Sequence, residues 1–180
     1  VASLSTPGIP GGANAPEENK GGYHLVWPRD LYHAALGLLA AGDSKTPVDV
    51  LDYLMKRQLP DGSWAQNFWV EGTPYWGQKQ LDETAFPIIL AGDLARMGVR
   101  KIGVRESAMI RKAAVFLVKA GPVTPQDRWE ENSGFSPNTL ASVLLSLRIA
   151  GSVLNEPAFT AKAAEWASKL ERWTVVPKGP

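Results

Sequence analysis

Apolar residues recur along this chain at helical rather than strand spacing. In WPRDLYHAALGLLAAGD, Leu31, Ala34, Ala35, Leu38 and Leu39 follow the i, i+3, i+4, i+7, i+8 rule of one helix face. Pro28 suits the first turn of that helix and Gly42 its close. TPVDVLDYLMKRQL predicts a second helix with Thr46 as N-cap, Pro47 behind it and Asp49 at the third position, ending before PDG. A third runs from about Leu81 to Met97, where Pro87 implies either a late start or a kink. The stripe Ile110, Ala113, Ala114, Leu117 and Val118 predicts a fourth from about Val104 to Lys119. The fifth starts at Ser136 and Pro137 and turns Leu140, Val143, Leu144 and Leu147 inward; a sixth covers about Pro157 to Trp173.

Polar, Gly-rich and Pro-rich stretches separate these helices unevenly. Residues 1 to 22 lack periodicity and read as an extended loop. More than twenty residues, RQLPDGSWAQNFWVEGTPYWGQKQ, precede the third helix, a length that in a compact domain is usually functional. The odd-numbered helices begin near residues 29, 82 and 138, a recurrence of roughly 55 residues that marks repeated helical hairpins. Short Gly-containing turns end the odd helices, and the long loops come before them, so the long loops gather at one end of the array. The predicted fold is all-α, with residues 23 to 180 forming three helical hairpins. Three hairpins would make about half of a six-hairpin toroid, and the chain is therefore expected to be a fragment.

Composition narrows the functional classes. A net charge of +1, with no dense basic cluster, offers nothing to follow a phosphate backbone. Cysteine is absent and there are two histidines, His24 and His33, which removes thiol chemistry and a His-rich metal site. No apolar run reaches the roughly 20 residues that span a bilayer. The unusual feature is seven tryptophans, five of them (Trp27, Trp64, Trp69, Trp76 and Trp129) in loops beside Gly, Pro, Asp and Gln.

Three of these loops carry the candidate chemistry. Trp27-Pro28-Arg29-Asp30, the run from Tyr75 and Trp76 through Gln80 to Asp82 and Glu83, and Asp127-Arg128-Trp129-Glu130-Glu131-Asn132 each precede or open an odd helix. Each joins a flat aromatic face to carboxylate, guanidinium or amide groups. A pyranose calls for that combination, because its C–H faces stack on rings while its hydroxyls take paired hydrogen bonds. Bland alternatives exist for each: a solvated turn for Glu130-Glu131, helix-terminus electrostatics for Asp30, a packing tryptophan in QLPDGSW, and a structural His33. Repetition of the same combination in three successive hairpins favours the sugar site.

GGYHLVWPRDL, QLPDGSW, YWGQKQLDETAFPIILA and RWEENSGFSPNT resemble the corresponding blocks of glycoside hydrolase family 15, the glucoamylases and glucodextranases, and its bacterial members above all. The resemblance runs from about Ser3 to Trp173. It implies an (α/α)6 barrel that releases glucose from the non-reducing ends of α-glucans with inversion, without a cofactor. It also implies that Glu130 is the general acid, that Glu131 hydrogen-bonds sugar hydroxyls, and that Asp127 tunes the acid or binds substrate. By the same resemblance Arg29 and Asp30 hold the terminal glucose, Trp27 and Trp76 line sugar subsites, and Gln80 and Asp82 belong to the substrate-binding motif. A glutamate that donates a proton near neutral pH needs a raised pKa, which Trp129 and Glu131 are placed to supply.

Inversion requires a second carboxylate roughly 6.5 to 9.5 Å from the first. The family's base lies far downstream of the acid, so it is expected beyond residue 180. The rest of the barrel, or a second copy of the chain, is expected to cover the inner helices, and the 180 residues alone should be inert. Family members are mostly secreted or periplasmic. QLPDGSW also resembles the Gln-Trp motif of triterpene cyclases, although no Asp-rich run accompanies it. A non-catalytic glucan-binding role for the fragment is the remaining alternative.

Overall fold

The computed structural model describes residues 25–175, which places the N-terminal loop and His24 outside the described residues. Within them lie seven helices: α1 (Pro28–Ala40), α2 (Lys45–Arg57), α3 (Leu81–Arg96), α4 (Val104–Ala120), α5 (Pro137–Val153), α6 (Pro157–Ala167) and α7 (Leu170–Thr174). The described residues hold only isolated β-bridges. The fold is all-α, with helical hairpins forming about half of an (α/α)6 barrel. None of the helices is long and apolar enough to cross a membrane.

The repeat is written in the helix ends. α1, α3 and α5 all close on one motif, in which a residue with positive φ lets two further N–H groups turn back to carbonyls of the last turn. Gly42, Gly98 and Asn155 hold that position. Asp43 N bonds Leu38 O at 3.0 Å, Val99 N bonds Leu94 O at 2.9 Å, and Glu156 N bonds Gly151 O at 3.0 Å. The third turn thus uses asparagine where glycine is expected, since Asn tolerates the left-handed region better than most residues.

Two helix ends differ from expectation, and the start of α3 agrees with it. Asp43, rather than Thr46, caps α2: its Oδ1 accepts from Lys45 N and Thr46 N at 3.0 and 2.9 Å, and Thr46 lies inside the helix. α3 begins at Leu81 and runs through Pro87, so the proline costs the hydrogen bond to the Glu83 carbonyl without delaying the start. The predicted sixth helix breaks at Ser168, whose hydroxyl donates to the Glu165 carbonyl at 2.8 Å in competition with the backbone ladder.

α3 is the centre of the array. It packs against α1, α2, α4 and α5, while α5 packs on α6. All eleven residues from Leu81 to Ala91 are buried, the polar Asp82, Glu83 and Thr84 among them. The apolar core gathers Leu51 and Leu54 of α2, Ile88 and Leu90 of α3, Ile110 and Leu117 of α4, and Val143 and Leu147 of α5. Trp64 is completely buried there, its indole N–H donating to the Leu54 carbonyl at 2.9 Å in the last turn of α2. In QLPDGSW the packing role therefore applies.

Candidate active site

The loops that precede α1, α3 and α5 are bonded to one another at the N-terminal ends of those helices. Val26 and Phe68 exchange backbone hydrogen bonds at 2.8 and 2.9 Å, joining the segment before α1 to the long loop before α3. Leu81 N, at the start of α3, reaches Thr124 Oγ1 at 3.4 Å, and Thr124 pairs with Gly134 across the loop before α5. The Trp27 indole N–H then donates to Glu130 Oε1 at 3.3 Å, spanning 103 residues of sequence. The first and third clusters therefore meet directly.

The second cluster reaches the first through Arg29. Its Nη1 lies 3.1 Å from Gln80 Oε1, 3.0 Å from Asp82 Oδ2 and 2.7 Å from Glu83 Oε1, while its backbone N–H donates to Glu83 Oε2 at 2.7 Å. Arg29 is 6% exposed, and Gln80, Asp82 and Glu83 are fully buried. Burial works against the guanidinium charge, but Glu83, Asp82 and Asp30 together outweigh it and hold Arg29 above its ordinary pKa. Burial also pushes the Glu83 carboxyl well above the usual carboxylate range; Arg29 pulls it back and Asp82 pushes it further. Gln80 and Asp82, expected to belong to the substrate-binding motif, are closed off from solvent here and meet Arg29. Asp30, the next residue on α1, is exposed at the rim.

The loop from Asp127 to Asn132 is built around one carboxylate. Asp127 Oδ1 accepts from Trp129 N at 3.0 Å and Glu131 N at 3.1 Å, while Asp127 N donates to the Asn132 carbonyl at 2.7 Å. Those backbone N–H bonds, the one from Glu131 foremost, hold Asp127 below its ordinary pKa. Its carboxylate therefore shapes the loop. Glu130 sits within this turn at φ 69°, a conformation unusual for a non-glycine residue, and Gln126 Nε2 holds its carbonyl at 3.3 Å. The turn leaves Glu130 half-buried and Glu131 exposed. Trp129 was expected to shield Glu130, but the residue is 73% exposed, with the Arg128 guanidinium 5.3 Å from its ring centroid. The ring in contact with Glu130 is Trp27, which the fold brings in from the other end of the chain.

Aromatic rings cluster in the long loop before α3. Trp69, Tyr75 and Trp76 form a chain of rings with centroids 4.7 and 5.2 Å apart. Buried Asn67 holds the last two, its carbonyl accepting from Tyr75 N at 3.1 Å and its Oδ1 from Trp76 N at 3.0 Å. Tyr75 and Trp76 remain over a third exposed, as flat faces that a sugar ring could cover. Asn67, Thr124 and Gln126 were not singled out from sequence. Glu83 stood in the second cluster without a role of its own; it lies 54 residues after Arg29, close to one repeat.

The family model for glycosyl hydrolases family 15 matches residues 54–175, more than half of the sequence. This chain belongs to that family. A glucoamylase from Clostridium sp. (strain G0005) is 40% identical over 173 residues, covering 96% of this chain and 23% of its own length. An uncharacterized glycosyl hydrolase of Methanocaldococcus jannaschii is 31% identical over 153 residues, covering 83% of this chain and 25% of its own. A crystal structure of a bacterial glucoamylase complexed with acarbose superposes with a TM-score of 0.71 at 40% identity, over 92% of this chain and 24% of that one. The chain thus spans about a quarter of the length of the relatives it matches. Family 15 membership removes the cyclase alternative for QLPDGSW.

Proposed function

We propose that this chain is part of the (α/α)6 catalytic domain of an exo-acting α-glucoside hydrolase that releases glucose from the non-reducing ends of α-glucans with inversion. Glu130 is the general acid. It protonates the glycosidic oxygen as the bond to the leaving sugar breaks, while water, activated by a second carboxylate, attacks the opposite face of the ring. We take that base to lie outside these 180 residues, and the remaining hairpins of the barrel to cover α1 and α5. Arg29 and Asp30 hold the terminal glucose, Glu131 binds sugar hydroxyls, and Trp27 and Trp76 line the subsites with Trp129 at the outer edge. Asp127 supports the acid by shaping its loop, and Gln80 and Asp82 act from behind Arg29.

The observation that supports this reading is the hydrogen bond of Trp27 with Glu130 beside the buried Arg29 cluster, which brings a carboxyl group, an indole ring and an arginine from separate hairpins together. The 40% identity to a glucoamylase and the likeness to a glucoamylase holding acarbose support an α-glucan or malto- or isomaltooligosaccharide as the substrate class. Because family members are mostly secreted or periplasmic, we assign the enzyme to a secreted or periplasmic setting. The test is Glu130→Gln in the full-length protein. Turnover on maltooligosaccharide should fall by about 10² or more, since general acid catalysis supplies a factor of that order, with sugar affinity nearly unchanged. Turnover close to wild type would refute the assignment.

A further inference from the structure

Glu83 lies outside every role assigned above, yet it is the residue most completely committed to Arg29. Its side chain has no exposure, and both of its carboxylate oxygens point at one residue 54 positions earlier. Oε2 takes the Arg29 backbone N–H at 2.7 Å. That N–H belongs to the first turn of α1, where N–H groups have no partner within the helix. The α1 N-cap residue, Trp27, supplies no side-chain cap. Oε1 lies 2.7 Å from the guanidinium Nη1 of the same residue, an ion pair rather than an aligned hydrogen bond. One carboxylate thus grips Arg29 both by its backbone N–H and by its guanidinium. Asp82 and Gln80 grip only the guanidinium.

We propose that Glu83 is a positioning residue, which clamps the first turn of α1 to the first turn of α3 and so sets where the Arg29 guanidinium and the adjoining Asp30 carboxylate stand at the rim. A buried carboxylate in this place is costly on desolvation grounds alone, because Asp82 already neutralises the guanidinium. An apolar side chain of similar size would join the helices without that cost, but it could not direct a guanidinium. The proposal rests on the reading of Arg29 and Asp30 as the groups that hold the terminal sugar.

The test uses the full-length protein with Glu83→Gln, Arg29→Met and the double variant, measuring kcat and KM on maltooligosaccharide beside thermal unfolding. Loss of folded protein alone would lower kcat and leave KM in place. Mispositioning of the sugar-holding pair raises KM, and we expect Glu83→Gln to raise it about 10-fold. The double variant should be scarcely worse than Arg29→Met alone, because both changes act on one interaction. If Glu83→Gln fails to fold, Glu83→Asp, which keeps the carboxyl group but shortens the reach by one methylene, should show the same rise in KM to a smaller degree. An unchanged KM in the Glu83 variants with a raised KM in Arg29→Met overturns the clamp and leaves the sugar-holding reading intact. An unchanged KM in Arg29→Met overturns the sugar-holding reading itself.

Discussion

Replacing Trp64 separates the two uses to which this family member puts its loop tryptophans. Trp64 is wholly buried under α2, its ring nitrogen bonded to the Leu54 carbonyl at 2.9 Å. Burying a tryptophan removes some 150–250 Å² from water, which at ~25 cal/mol per Å² amounts to ~4–6 kcal/mol before relaxation. Surroundings that partly collapse bring the expected cost of Trp64→Ala to ~3–5 kcal/mol. Trp64→Phe keeps most of the ring but strips the Leu54 carbonyl of its donor, which alone costs ~1–3 kcal/mol. Denaturant unfolding of the full-length protein should therefore rank wild type above Phe and Phe above Ala. At a temperature where each variant is folded, KM on maltooligosaccharide should move by less than about twofold. Stability within ~0.5 kcal/mol of wild type in both variants, together with a raised KM, would refute the packing role and make Trp64 a sugar contact.

Two other substitutions test the scaffold beneath the site. Gly62 has φ +94°, and a Cβ there would stand 2.3 Å from the Lys112 carbonyl oxygen of α4; Gly62→Ala should cost at least about 2 kcal/mol, and a neutral effect in the unfolding midpoint would show that this loop does not rest on α4. Arg100 joins α2 to α4 through Asp52 at 3.0 Å and Glu106 at 2.7 Å. The hydrogen bond from Arg100 holds Asp52 below its ordinary pKa; for Glu106, burial opposes the charge, but backbone N–H groups and Arg100 outweigh it. Depressed carboxylates stabilise above their unfolded pKa, and that contribution is lost as pH falls through the folded value. Arg100→Met should accordingly lower Tm at pH 7 by an amount that shrinks below about pH 4, and a pH-independent difference would contradict the pairing.

Helix positions were legible because each is decided within a turn or two of chain: Pro28, Ser136 with Pro137, and the apolar stripes state their elements locally. The misplaced boundaries were local as well, but turned on side-chain competition that a propensity pattern cannot rank. Asp43 out-competed Thr46 as the α2 cap, and the Ser168 hydroxyl interrupted the last helix. At the site, Glu130, Arg29 and Asp30 stood out as residue types in a repeated pattern. Asn67 and Gln126 carried no such pattern, because their work is to hold single backbone groups of loops whose conformation no periodicity encodes.

Sequence alone determined that the chain is a run of helical hairpins repeating every fifty-odd residues, that the long polar loops share one rim, and that this rim carries carboxylates beside aromatic rings. Only the tertiary structure decided which of those groups face solvent and which are held behind it. Trp64 and Trp76 are alike in composition and context, yet one is sealed against α2 and the other lies open. Gln80 and Asp82 retreat behind Arg29, Glu83 takes hold of it, and Trp27 rather than Trp129 meets Glu130. The reason is physical: periodicity is a property of neighbours in the chain, whereas burial and charge pairing belong to groups that become neighbours only on folding, here across 54 and 103 residues.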